Sequence, residues 1–402
     1  MWQRIKNIYH LAQASLAVTF FLFPSNRLTV IAVTGTDGKT TTVNMIYHIL
    51  KRAGKKVSMV STIGAQIADR SIDIGYHVTT PSAWQLQKLL RLARNAGSQY
   101  FVLEATSHGL DQNRLAFINI NTAVLTNITS EHMDYHSNWQ NYAASKSKLF
   151  KRAKFAILNL DDKKSFSYIK NTTSGKITTY SRKGPADYSL ANFPLKLKVI
   201  GHYNLSNALA ACASAGVLGI KKSDIITALE QFSGVKGRLE EISIGQPFKA
   251  IIDFAHTPNS LASALAALIG ANPKSRIIAV FGSAGGRDKT KRIKMGEVAA
   301  KYADISIITS EDPRNENPRD IALEISRAFT KTGKIEGKDF FIVTNRQKAI
   351  QFAVNLAKKS DVVCFFGKGH EKSMCIGKKE YPWDEAATVK SAITAYLDHE
   401  KH

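Results

Sequence analysis

A lysine flanked by small residues, near the N-terminal end of the chain, has the spacing of a phosphate-binding turn. The segment reads Thr34, Gly35, Thr36, Asp37, Gly38, Lys39, Thr40, Thr41 and Thr42. Glycines let backbone N–H groups approach phosphate oxygens, a helix N-terminus favours negative charge, and a lysine reaches the β- and γ-phosphates. We therefore predict that residues 35–41 bind ATP, with the Thr40 hydroxyl as a ligand of Mg²⁺.

The turn is more compact than the usual Walker A loop, because only two residues separate Gly35 from Gly38. A chance glycine-rich turn is the alternative interpretation. However, the apolar run Leu28 to Val33 precedes the turn, and a helical stretch to Leu50 follows it. Since strand, turn, lysine-threonine pair and helix occur in the order that phosphate binding requires, we favour the functional interpretation.

Apolar runs rich in β-branched residues alternate with helical stretches along the chain, which is typical of a parallel sheet covered on both faces. We predict an α/β fold: a doubly wound, mostly parallel sheet in an ATP-binding domain, and a second, Rossmann-like α/β domain. The predicted strands are Leu28–Val33, Tyr100–Glu104, Thr122–Thr126, Phe155–Leu158, Ala250–Asp253, Ile277–Phe281, Ile305–Thr309 and Val362–Phe366. In such sheets ligands bind beyond the carboxyl ends of the strands.

The length of 402 residues predicts more than one domain. The sequence Ser-Gly-Val-Lys-Gly-Arg, around Gly234 to Arg238, interrupts the periodicity and marks a boundary. We therefore predict an N-terminal apolar helix in residues 1–27, a central ATP-binding domain in 28–236 and a C-terminal domain in 237–402. We expect a monomer.

The formal charge of +23 favours polyanionic partners such as nucleic acid, anionic lipid or phosphorylated small molecules. The basic residues are spread along the chain, and no nucleic-acid-binding motif accompanies them, so nucleic acid is not an expected partner. The three cysteines, Cys212, Cys364 and Cys375, lack metal-ligand spacing. We expect buried thiols in a cytoplasmic protein.

The N-terminal segment from Asn7 to Asn26 contains no charged residue, and Leu16 to Phe23 is almost wholly apolar. Three interpretations stay open: a helix packed on the protein, a helix lying in the membrane interface through residues 7–24, or a membrane span. A cleaved signal peptide is not expected, because the run leads almost directly into the first strand of an ATP-binding domain.

Three longer motifs make the sequence more specific. They are His77 to Pro81, Glu104 to Arg114 and Thr126 to His136. Together with the compact turn they resemble the signatures of the Mur ligase family, in particular of members that add the third, diamino residue to the peptidoglycan stem peptide. The similarity continues through Tyr142–Lys146, Tyr203–Asn207, Gly237–Glu240, Asp253–Pro258, Gly285–Arg292, Glu311–Arg314 and Gly367–Glu371. It covers about residues 28–390.

The resemblance implies roles for individual residues. The positions implied to hold a muramyl dipeptide are Thr79, Thr80, Thr106, Gln112 and Arg114, and those implied to hold Mg²⁺, besides Thr40, are Glu104, His132 and Lys146. Lys146 matches a lysine that the family carries as a carbamate, and an exposed lysine is the alternative interpretation. Lys148 is a weaker candidate for the same modification. With Lys39, residues Glu104, His132 and Lys146 form the implied catalytic set.

Further positions are implied to contact the nucleotide. These are Asn207, Arg238, Asp253 and His256. The expected ATP site accordingly lies between the central and C-terminal domains, and domain closure is expected to exclude water from an acyl phosphate.

The implied reaction transfers the γ-phosphoryl group of ATP to the D-Glu γ-carboxylate of an N-acetylmuramoyl-L-Ala-D-Glu substrate. An amino group then attacks the acyl phosphate, giving ADP, phosphate and an amide. The residues implied to bind the incoming amino acid are Arg287, Glu311, Asp312, Arg314, Gly367 and Glu371. The C-terminal domain is therefore the predicted amino-acid-binding domain.

The acceptor motif departs from the family pattern. Members that use meso-diaminopimelate have Asp-Asn-Pro-Arg, whose arginine holds the distal carboxylate, whereas this chain has Glu311, Asp312, Pro313 and Arg314. The retained Arg314 favours meso-diaminopimelate. The added negative charge keeps L-lysine or another diamino acid open.

A second departure is the short stretch before the first strand, about 27 residues, which predicts that the usual N-terminal domain for the uridine diphosphate group is missing. A UDP-linked or a lipid-linked muramyl dipeptide is therefore possible. Other ligases of the superfamily (folylpolyglutamate, cyanophycin or pseudomurein type) and a catalytically silent, membrane-associated interaction protein are the alternatives. The intact set of candidate catalytic residues argues against the last.

Overall fold

The computed structural model describes residues 2–129 and 133–399, with the side chains of 6–129 and 135–399. The chain forms two compact units. Unit 1 comprises Met1–Lys198 and His202–Ser233, and unit 2 comprises Val199–Gly201 and Gly234–His402.

Unit 1 contains one large sheet. Its strands are β1 (Thr29–Thr34), β2 (Val57–Ser61), β3 (Gly64–Ile67), β4 (Arg70–Ile72), β5 (Tyr100–Glu104), β6 (Ile120–Leu125), β7 (Phe155–Asn159), β8 (Lys176–Ser181) and β9 (Tyr188–Ser189). In the described residues their order is β4-β3-β2-β5-β1-β6-β7-β8-β9. All neighbours pair in parallel except β2 with β3 and β3 with β4.

Helices cover this sheet. They are α1 (Trp2–Phe20), α2 (Lys39–Arg52), α3 (Ala83–Asn95), α4 (Ser107–Asp111), α5 (Met133–His136), α6 (Trp139–Phe150), α7 (Lys163–Lys170), α8 (His202–Val217) and α9 (Lys222–Glu230), with a 3₁₀ turn at Pro24–Arg27. Side-chain caps fix the N-termini of several helices. At α3 the Ser82 hydroxyl accepts a hydrogen bond from the Gln85 amide, and at α6 the Asn138 side chain accepts one from the Asn141 amide.

The centre of the unit 1 sheet aligns the strand ends that carry the sequence motifs. Strand β1 lies between β5 and β6, with Val33 opposite Glu104 and Thr34 opposite Leu125. The turn after β1, the carboxylate that ends β5 and the residues after β6 therefore share one edge. The apolar strand residues are buried in a core that includes Val30, Phe101 and Leu125.

Unit 2 contains a second sheet and a small hairpin. Its strands are β10 (Glu240–Ile242), β11 (Lys249–Asp253), β12 (Ile277–Phe281), β13 (Ile305–Ile308), β14 (Phe340–Ile342), β15 (Val362–Phe366), β16 (Ser373–Ile376) and β17 (Lys379–Pro382). The sheet order among described residues is β10-β11-β15-β12-β13-β14, with β16 and β17 paired separately. Only β10 runs antiparallel within the larger sheet.

The helices of unit 2 bury both faces of this sheet. They are α10 (Pro258–Ala271), α11 (Thr290–Tyr302), α12 (Pro318–Lys331), α13 (Arg346–Leu356) and α14 (Glu385–His399). Neighbouring residues of β11 point to opposite cores: Ile251 into one, Ala250 and Ile252 into the other. This explains why the strand is a continuous apolar run rather than an alternating one.

The predicted fold class is confirmed, and each of the eight predicted strands is present within two residues of its predicted bounds. The N-terminal segment is helical, as expected. Among the described residues no helix is long and apolar enough to cross a membrane.

Candidate functional site

The turn after β1 is closed so tightly that only glycine fits at two positions. A β-carbon at Gly35 (φ 153°) would lie 1.8 Å from the Thr126 hydroxyl oxygen, and one at Gly38 (φ 82°) 2.2 Å from the Asn207 side-chain oxygen. Both values are far below van der Waals contact. Gly38 also caps α2, whose first turn contains Lys39, Thr40 and the half-exposed Thr41. A glycine turn that leads into a helix N-terminus is the arrangement that favours a bound phosphate group.

Residues after β6 hold this turn from the other side. The Thr126 hydroxyl donates to the Asp37 carbonyl at 2.6 Å, and the Asp37 amide donates to the Asn127 side chain at 3.0 Å. The Thr36 hydroxyl lies 3.2 Å from the Tyr142 hydroxyl. These contacts fix the backbone of the loop. Asn207 on α8, predicted to contact the nucleotide, lies against Gly38.

The carboxylate of Glu104 lies at the start of α2. Its Oε2 accepts hydrogen bonds from the Thr40 hydroxyl (3.0 Å), the Thr62 hydroxyl (3.0 Å) and the Thr62 amide (3.1 Å). Glu104 is buried at the carboxyl end of β5. A carboxylate and hydroxyl oxygens beside a phosphate loop are the hard ligands that Mg²⁺ prefers, so this donor set fits the ion.

Lys39 and Lys146 approach the same loop. The Lys39 amine donates to the Thr36 carbonyl at 2.6 Å, and the Lys146 amine donates to the Gly35 carbonyl at 2.7 Å. Lys146, on α6, is 1% exposed, and its amine lies 4.3 Å from the centre of the Tyr142 ring. The interpretation of Lys146 as an exposed surface lysine is therefore wrong.

Lys148, the weaker candidate for carbamylation, has a different environment. Its amine pairs with the Asp111 carboxylate at 3.2 Å and is partly exposed. Burial raises the pKa of Asp111, but the charge and hydrogen bond of Lys148, with bonds from Tyr135 and Asn7, bring that pKa below its ordinary value. The Lys148 amine thus faces a carboxylate at a partly exposed position, unlike the buried Lys146 amine.

The residues predicted to hold a muramyl dipeptide form a connected hydrogen-bond network. The Thr80 hydroxyl donates to the Glu104 carbonyl at 3.0 Å and accepts from the Thr106 amide at 2.9 Å. Arg114 donates to the Thr80 carbonyl at 2.6 Å and to the Gln112 side chain at 2.7 and 3.0 Å. Thr79 joins through the Thr62 hydroxyl at 3.2 Å. His132 lies outside the described residues.

In unit 2, two predicted nucleotide residues, Arg238 and His256, and the unpredicted His370 surround a phenylalanine that was also not predicted. The guanidinium of Arg238 lies 4.6 Å from the centre of the Phe254 ring, and the rings of His256 and His370 lie 4.6 and 4.9 Å from it. Burial, followed by the charge of Arg238, lowers the pKa of His370 to about 3. His370 is therefore uncharged at neutral pH, and the group presents flat surfaces suited to stacking.

Asp253 ends β11 below this group. Its carboxylate accepts from the Leu239 amide and the Ala255 amide, both at 2.8 Å. Burial raises its pKa, and the charge of Arg238 and the two amide bonds oppose that rise without cancelling it. Asp253 thus fixes the backbone on either side of Arg238 and His256.

A buried charge cluster follows β13 and β15. The Lys368 amine, with no exposed area, donates to the Asp312 carboxylate at 2.9 Å and the Glu371 carboxylate at 2.6 Å. Burial lowers the pKa of Lys368, but the two carboxylates more than offset this and raise it. The Cys375 amide also donates to Asp312 at 2.9 Å. The extra negative charge of Asp312 is therefore balanced within the protein.

The Glu311 carboxylate, unlike that of Asp312, forms no ion pair with a described residue. Its carboxylate lies against Gly367 and is 6% exposed, and its Oε2 makes no hydrogen bond with the described residues. Burial raises its pKa to about 7, assisted by the charges of Asp312 and Glu371 and opposed by those of Lys291 and Lys368. A carboxyl group in this state suits a ligand that brings its own positive charge.

Arg314 is held by its backbone, while its guanidinium makes no ion pair with a described residue. Its amide donates to the Cys375 carbonyl at 3.0 Å, its carbonyl accepts from the Gly377 amide at 2.8 Å, and its φ is 52°. Strand β16 therefore positions Arg314 in a left-handed conformation that side chains rarely adopt. Arg287, by contrast, is exposed and makes no described side-chain bond.

Comparisons with known proteins agree with this geometry. The Mur ligase middle domain family matches residues 33–215, and the family described as Mur ligase, glutamate ligase domain matches residues 237–369. A relative from Caldanaerobacter subterraneus subsp. tengcongensis, named UDP-N-acetylmuramoyl-L-alanyl-D-glutamate--2,6-diaminopimelate ligase, is 39% identical over 401 residues. The match covers 95% of this chain and 81% of the relative.

The chain belongs to the Mur ligase family. Members of this family are ATP-dependent ligases that form amide bonds in peptidoglycan synthesis, and the chain is an enzyme of this class.

Solved structures share the fold of this chain. A structure with the same ligase name is 31% identical, with a TM-score of 0.62, and the match covers 92% of this Mur ligase and 79% of that chain. Escherichia coli FolC in complex with DHPP and ADP matches with a TM-score of 0.71 at 19% identity, covering 98% and 94% of the two chains. At that identity the second match shows the shared fold alone.

Several residues of this Mur ligase belong to the site although the sequence did not identify them individually. They include Thr62, Tyr142, Phe254, Lys368 and His370. Tyr142, Phe254 and Lys368 lie inside the family motifs, so proximity to predicted residues was an available signal. Thr62 lies outside every motif, and only the pairing of β2 with β5 brings it to Glu104.

Proposed function

We propose that the chain joins a diamino acid to the D-Glu γ-carboxylate of a muramoyl-L-Ala-D-Glu substrate, at the expense of ATP. The observation that carries the proposal is the convergence of Lys39, Thr40 and Glu104 on one glycine turn, with Thr80 and Arg114 hydrogen-bonded to the same strand end. A phosphoryl donor and a carboxylate acceptor can thus be held next to each other.

The proposed chemistry follows from the negative phosphate charge that these residues can neutralise. The γ-phosphoryl group moves to the substrate carboxylate, ADP leaves, and the amino group of the acceptor displaces phosphate to form the amide. Mg²⁺, when bound, supplies further neutralisation of phosphate charge through Thr40 and Glu104. Lys39 offsets charge on the β- and γ-phosphates, and the loop amides orient them, so the protein acts mainly by positioning and electrostatics.

We also propose that Lys146 is carbamylated and that His132 completes the metal-linked set. Support for the carbamate comes from the position of Lys146, which is buried and in contact with the Gly35 carbonyl. Burial favours the uncharged amine, which is the form that reacts with CO₂. The product is a carboxylate-like group, a better Mg²⁺ ligand than an ammonium.

For the acceptor, we propose meso-diaminopimelate, held at its distal carboxylate by Arg314. Asp312 is already neutralised by Lys368, and the Arg314 guanidinium has no described carboxylate partner. Both points favour a carboxylate ligand for Arg314 over an internal ion pair. Glu311, beside Gly367, is then the group proposed to meet an ammonium group of the same ligand; Glu371, which accepts from Lys368, lies in the same cluster, and Arg287 lies at the exposed edge. Arg238, Asp253, His256 and Asn207 are proposed nucleotide contacts.

The test is phosphate release from ATP with a panel of muramyl dipeptides crossed against diaminopimelate and lysine. We expect turnover only when both a dipeptide and a diamino acid are present. ATP turnover that depends on neither substrate, or on a folate, would contradict the proposal. Comparison of UDP-linked with lipid-linked dipeptide identifies the donor.

We further propose that the segment 7–24 associates peripherally with a membrane surface. Support comes from the exposed apolar side chains of α1, which include Ile8, Leu16 and Phe20. The monomeric state stays a prediction.

A further inference from the structure

Helix α1 buries small side chains and exposes large apolar ones, which is the opposite of an ordinary packed helix. Its buried residues are small, Ala14, Ala17 and Val18, while the large residues face solvent. Ile8, Leu16 and Phe20 are 69%, 64% and 70% exposed, and with Ala12 they follow a spacing of four, which places them along one side of the helix. A helix that served only to cover the core would bury its large side chains instead.

The chain leaves this helix through a strained apolar turn. Leu22 and Phe23 are 63% and 46% exposed, and both have positive φ, 59° and 47°. Left-handed conformations are uncommon outside glycine and cost free energy when two follow each other. Seven of the sixteen exposed large hydrophobic side chains in the described residues fall between residues 8 and 23. Such concentration marks an interaction surface.

Helix α3 extends the same surface. The Trp84 ring lies 5.5 Å from the Phe20 ring and 6.0 Å from the Phe21 ring. One and two turns further along α3, Lys88 and Leu92 are also exposed. An exposed tryptophan beside aliphatic side chains and a lysine is typical of residues at a membrane interface.

The rim of this surface is basic. Arg27 ends the 3₁₀ turn that packs against α3, and Arg91 and Arg94 lie three residues apart on α3. Desolvation, and then the charges of Arg91 and Arg27, lower the pKa of Arg94. No carboxylate pairs with any of the three among the described side chains. Three neighbouring guanidinium groups at the edge of an apolar surface are complementary to phosphate headgroups, and the protein's net charge of +23 has the same sign.

We propose that α1, the turn at Leu22–Phe23 and the outer side of α3 form one docking face for an anionic phospholipid surface. Leu16, Phe20 and Trp84 enter the headgroup boundary, and Arg27 and Arg94 contact lipid phosphates. The proposal refines the peripheral association proposed above, names its lipid class and does not require the ligase reaction.

The face is also connected to the proposed substrate residues. The Asn7 carbonyl of α1 accepts a hydrogen bond from the Asn113 side chain at 3.2 Å. Asn113 lies between Gln112 and Arg114, two of the proposed substrate residues. Docking through α1 therefore holds the protein residues that are proposed to bind the muramyl dipeptide close to the lipid. A donor whose carrier is embedded in that lipid would be reached without leaving the surface.

The experiment is co-flotation of the full chain with vesicles of phosphatidylcholine alone and with vesicles of equal parts phosphatidylcholine and phosphatidylglycerol. The wild type is expected to float only with the anionic vesicles. Leu16→Glu/Phe20→Glu should weaken binding at least about tenfold. Arg27→Gln/Arg94→Gln should weaken it about fivefold per arginine, because each basic residue near an anionic surface contributes about 1 kcal/mol.

Ile335→Glu is the matched control, because Ile335 is 57% exposed but belongs to unit 2, and its binding should equal that of the wild type. Phosphate release with a soluble muramyl dipeptide, measured on all variants, separates loss of docking from loss of the ligase function. Wild-type flotation by Leu16→Glu/Phe20→Glu, or equal binding to both vesicle types, would overturn the proposal. A concentration-dependent dimer without lipid that this double substitution abolishes would assign the face to a second copy and overturn it as well.

Discussion

The phosphate loop of unit 1 (residues 35–41) and the acceptor cluster of unit 2 (Glu311, Asp312, Lys368 and Glu371) are both suited to charged ligands, but they differ in how much charge they bury. The loop uses backbone groups and hydroxyls that are fixed by Thr126, Asn127 and Tyr142, and little net charge is buried in it apart from Lys146 and Glu104. The acceptor cluster buries Glu311, Asp312 and Lys368 close together.

This difference has a consequence for specificity. Amides and hydroxyls accommodate any phosphate of suitable shape, whereas a buried carboxyl group without a partner is costly until a ligand with complementary charge arrives. The loop is thus suited to a ligand that all family members share. The cluster is suited to discriminate between acceptors, which is where family members differ.

The largest expected effect tests the loop. Lys39→Met keeps the length of the side chain but removes its charge from the phosphates, and we expect phosphate release to fall about a thousandfold. Lys51→Met is the matched control, since Lys51 lies on the same helix, is exposed, and its amine lies 3.9 Å from the Asp69 carboxylate. Activity of Lys39→Met within a few fold of wild type would contradict the proposed role.

A second large effect tests whether the buried Lys146 acts as a carbamate. Lys146→Ala should lose activity, and short-chain carboxylates should restore part of it by occupying the space of the carbamate. Lys148→Gln, which breaks a partly exposed ion pair worth about 0 to 1 kcal/mol, should retain most activity and not respond to carboxylates. Full activity of Lys146→Ala without a rescue agent would exclude the carbamate.

A third effect tests the acceptor cluster. Removing one partner of a buried charge pair costs about 2 to 5 kcal/mol, so Arg314→Ala should reduce kcat/KM for meso-diaminopimelate by tens to thousands of fold. Lysine, which lacks the distal carboxylate, should be affected far less, and Arg287→Ala should change either substrate less than Arg314→Ala does. Competition between equimolar diaminopimelate and lysine measures the preference. A wild type that selects lysine, with the choice unchanged in Arg314→Ala, would make Arg314 structural.

The same contrast explains what could be predicted from the sequence. The loop is contiguous, and its strand, glycines, lysine and helix follow each other within a short segment, so its local geometry was readable from residue order. The strands themselves were readable because both faces of each sheet are buried, which makes them continuous apolar runs. The second and third strands of unit 1, Val57–Ser61 and Gly64–Ile67, have no such run and were not predicted.

The acceptor cluster could be predicted only as a set of residues, not as a set of bonds. Asp312 and Lys368 are separated by 56 positions, and their pairing depends on the register of β13, β12 and β15. From sequence, Asp312 added a negative charge that left the acceptor open. In the fold Lys368 neutralises the charge of Asp312, whereas the Glu311 carboxylate is buried without an ion-pair partner among the described residues. Which of the two carboxylates is paired depends on tertiary packing, which cannot be read from the local sequence.

The smallest expected effect concerns Glu311 and the pH dependence of stability. Burial raises its pKa to about 7 from an ordinary value of 4.5. Between these two values the native state keeps a proton that the unfolded state has lost, so the free energy of unfolding falls as pH rises from about 4.5 to 7. Each pKa unit corresponds to about 1.4 kcal/mol, and the ligand-free enzyme should therefore lose about 1 to 3 kcal/mol of stability across this window.

Glu311→Gln removes the titration while keeping the size of the side chain, so its stability should fall less between pH 5 and about pH 8 than that of the wild type. Urea unfolding at a series of pH values measures the difference. Glu316→Gln is a suitable control, because hydrogen bonds from Arg292 and Gly286 lower the pKa of Glu316 to about 2, outside the window. A saturating amino-acid acceptor supplies an ammonium group to Glu311, which favours the carboxylate and should flatten the wild-type profile. Identical pH profiles for wild type and Glu311→Gln would mean that Glu311 is solvated, and the acceptor cluster would then resemble the phosphate loop in carrying no uncompensated charge.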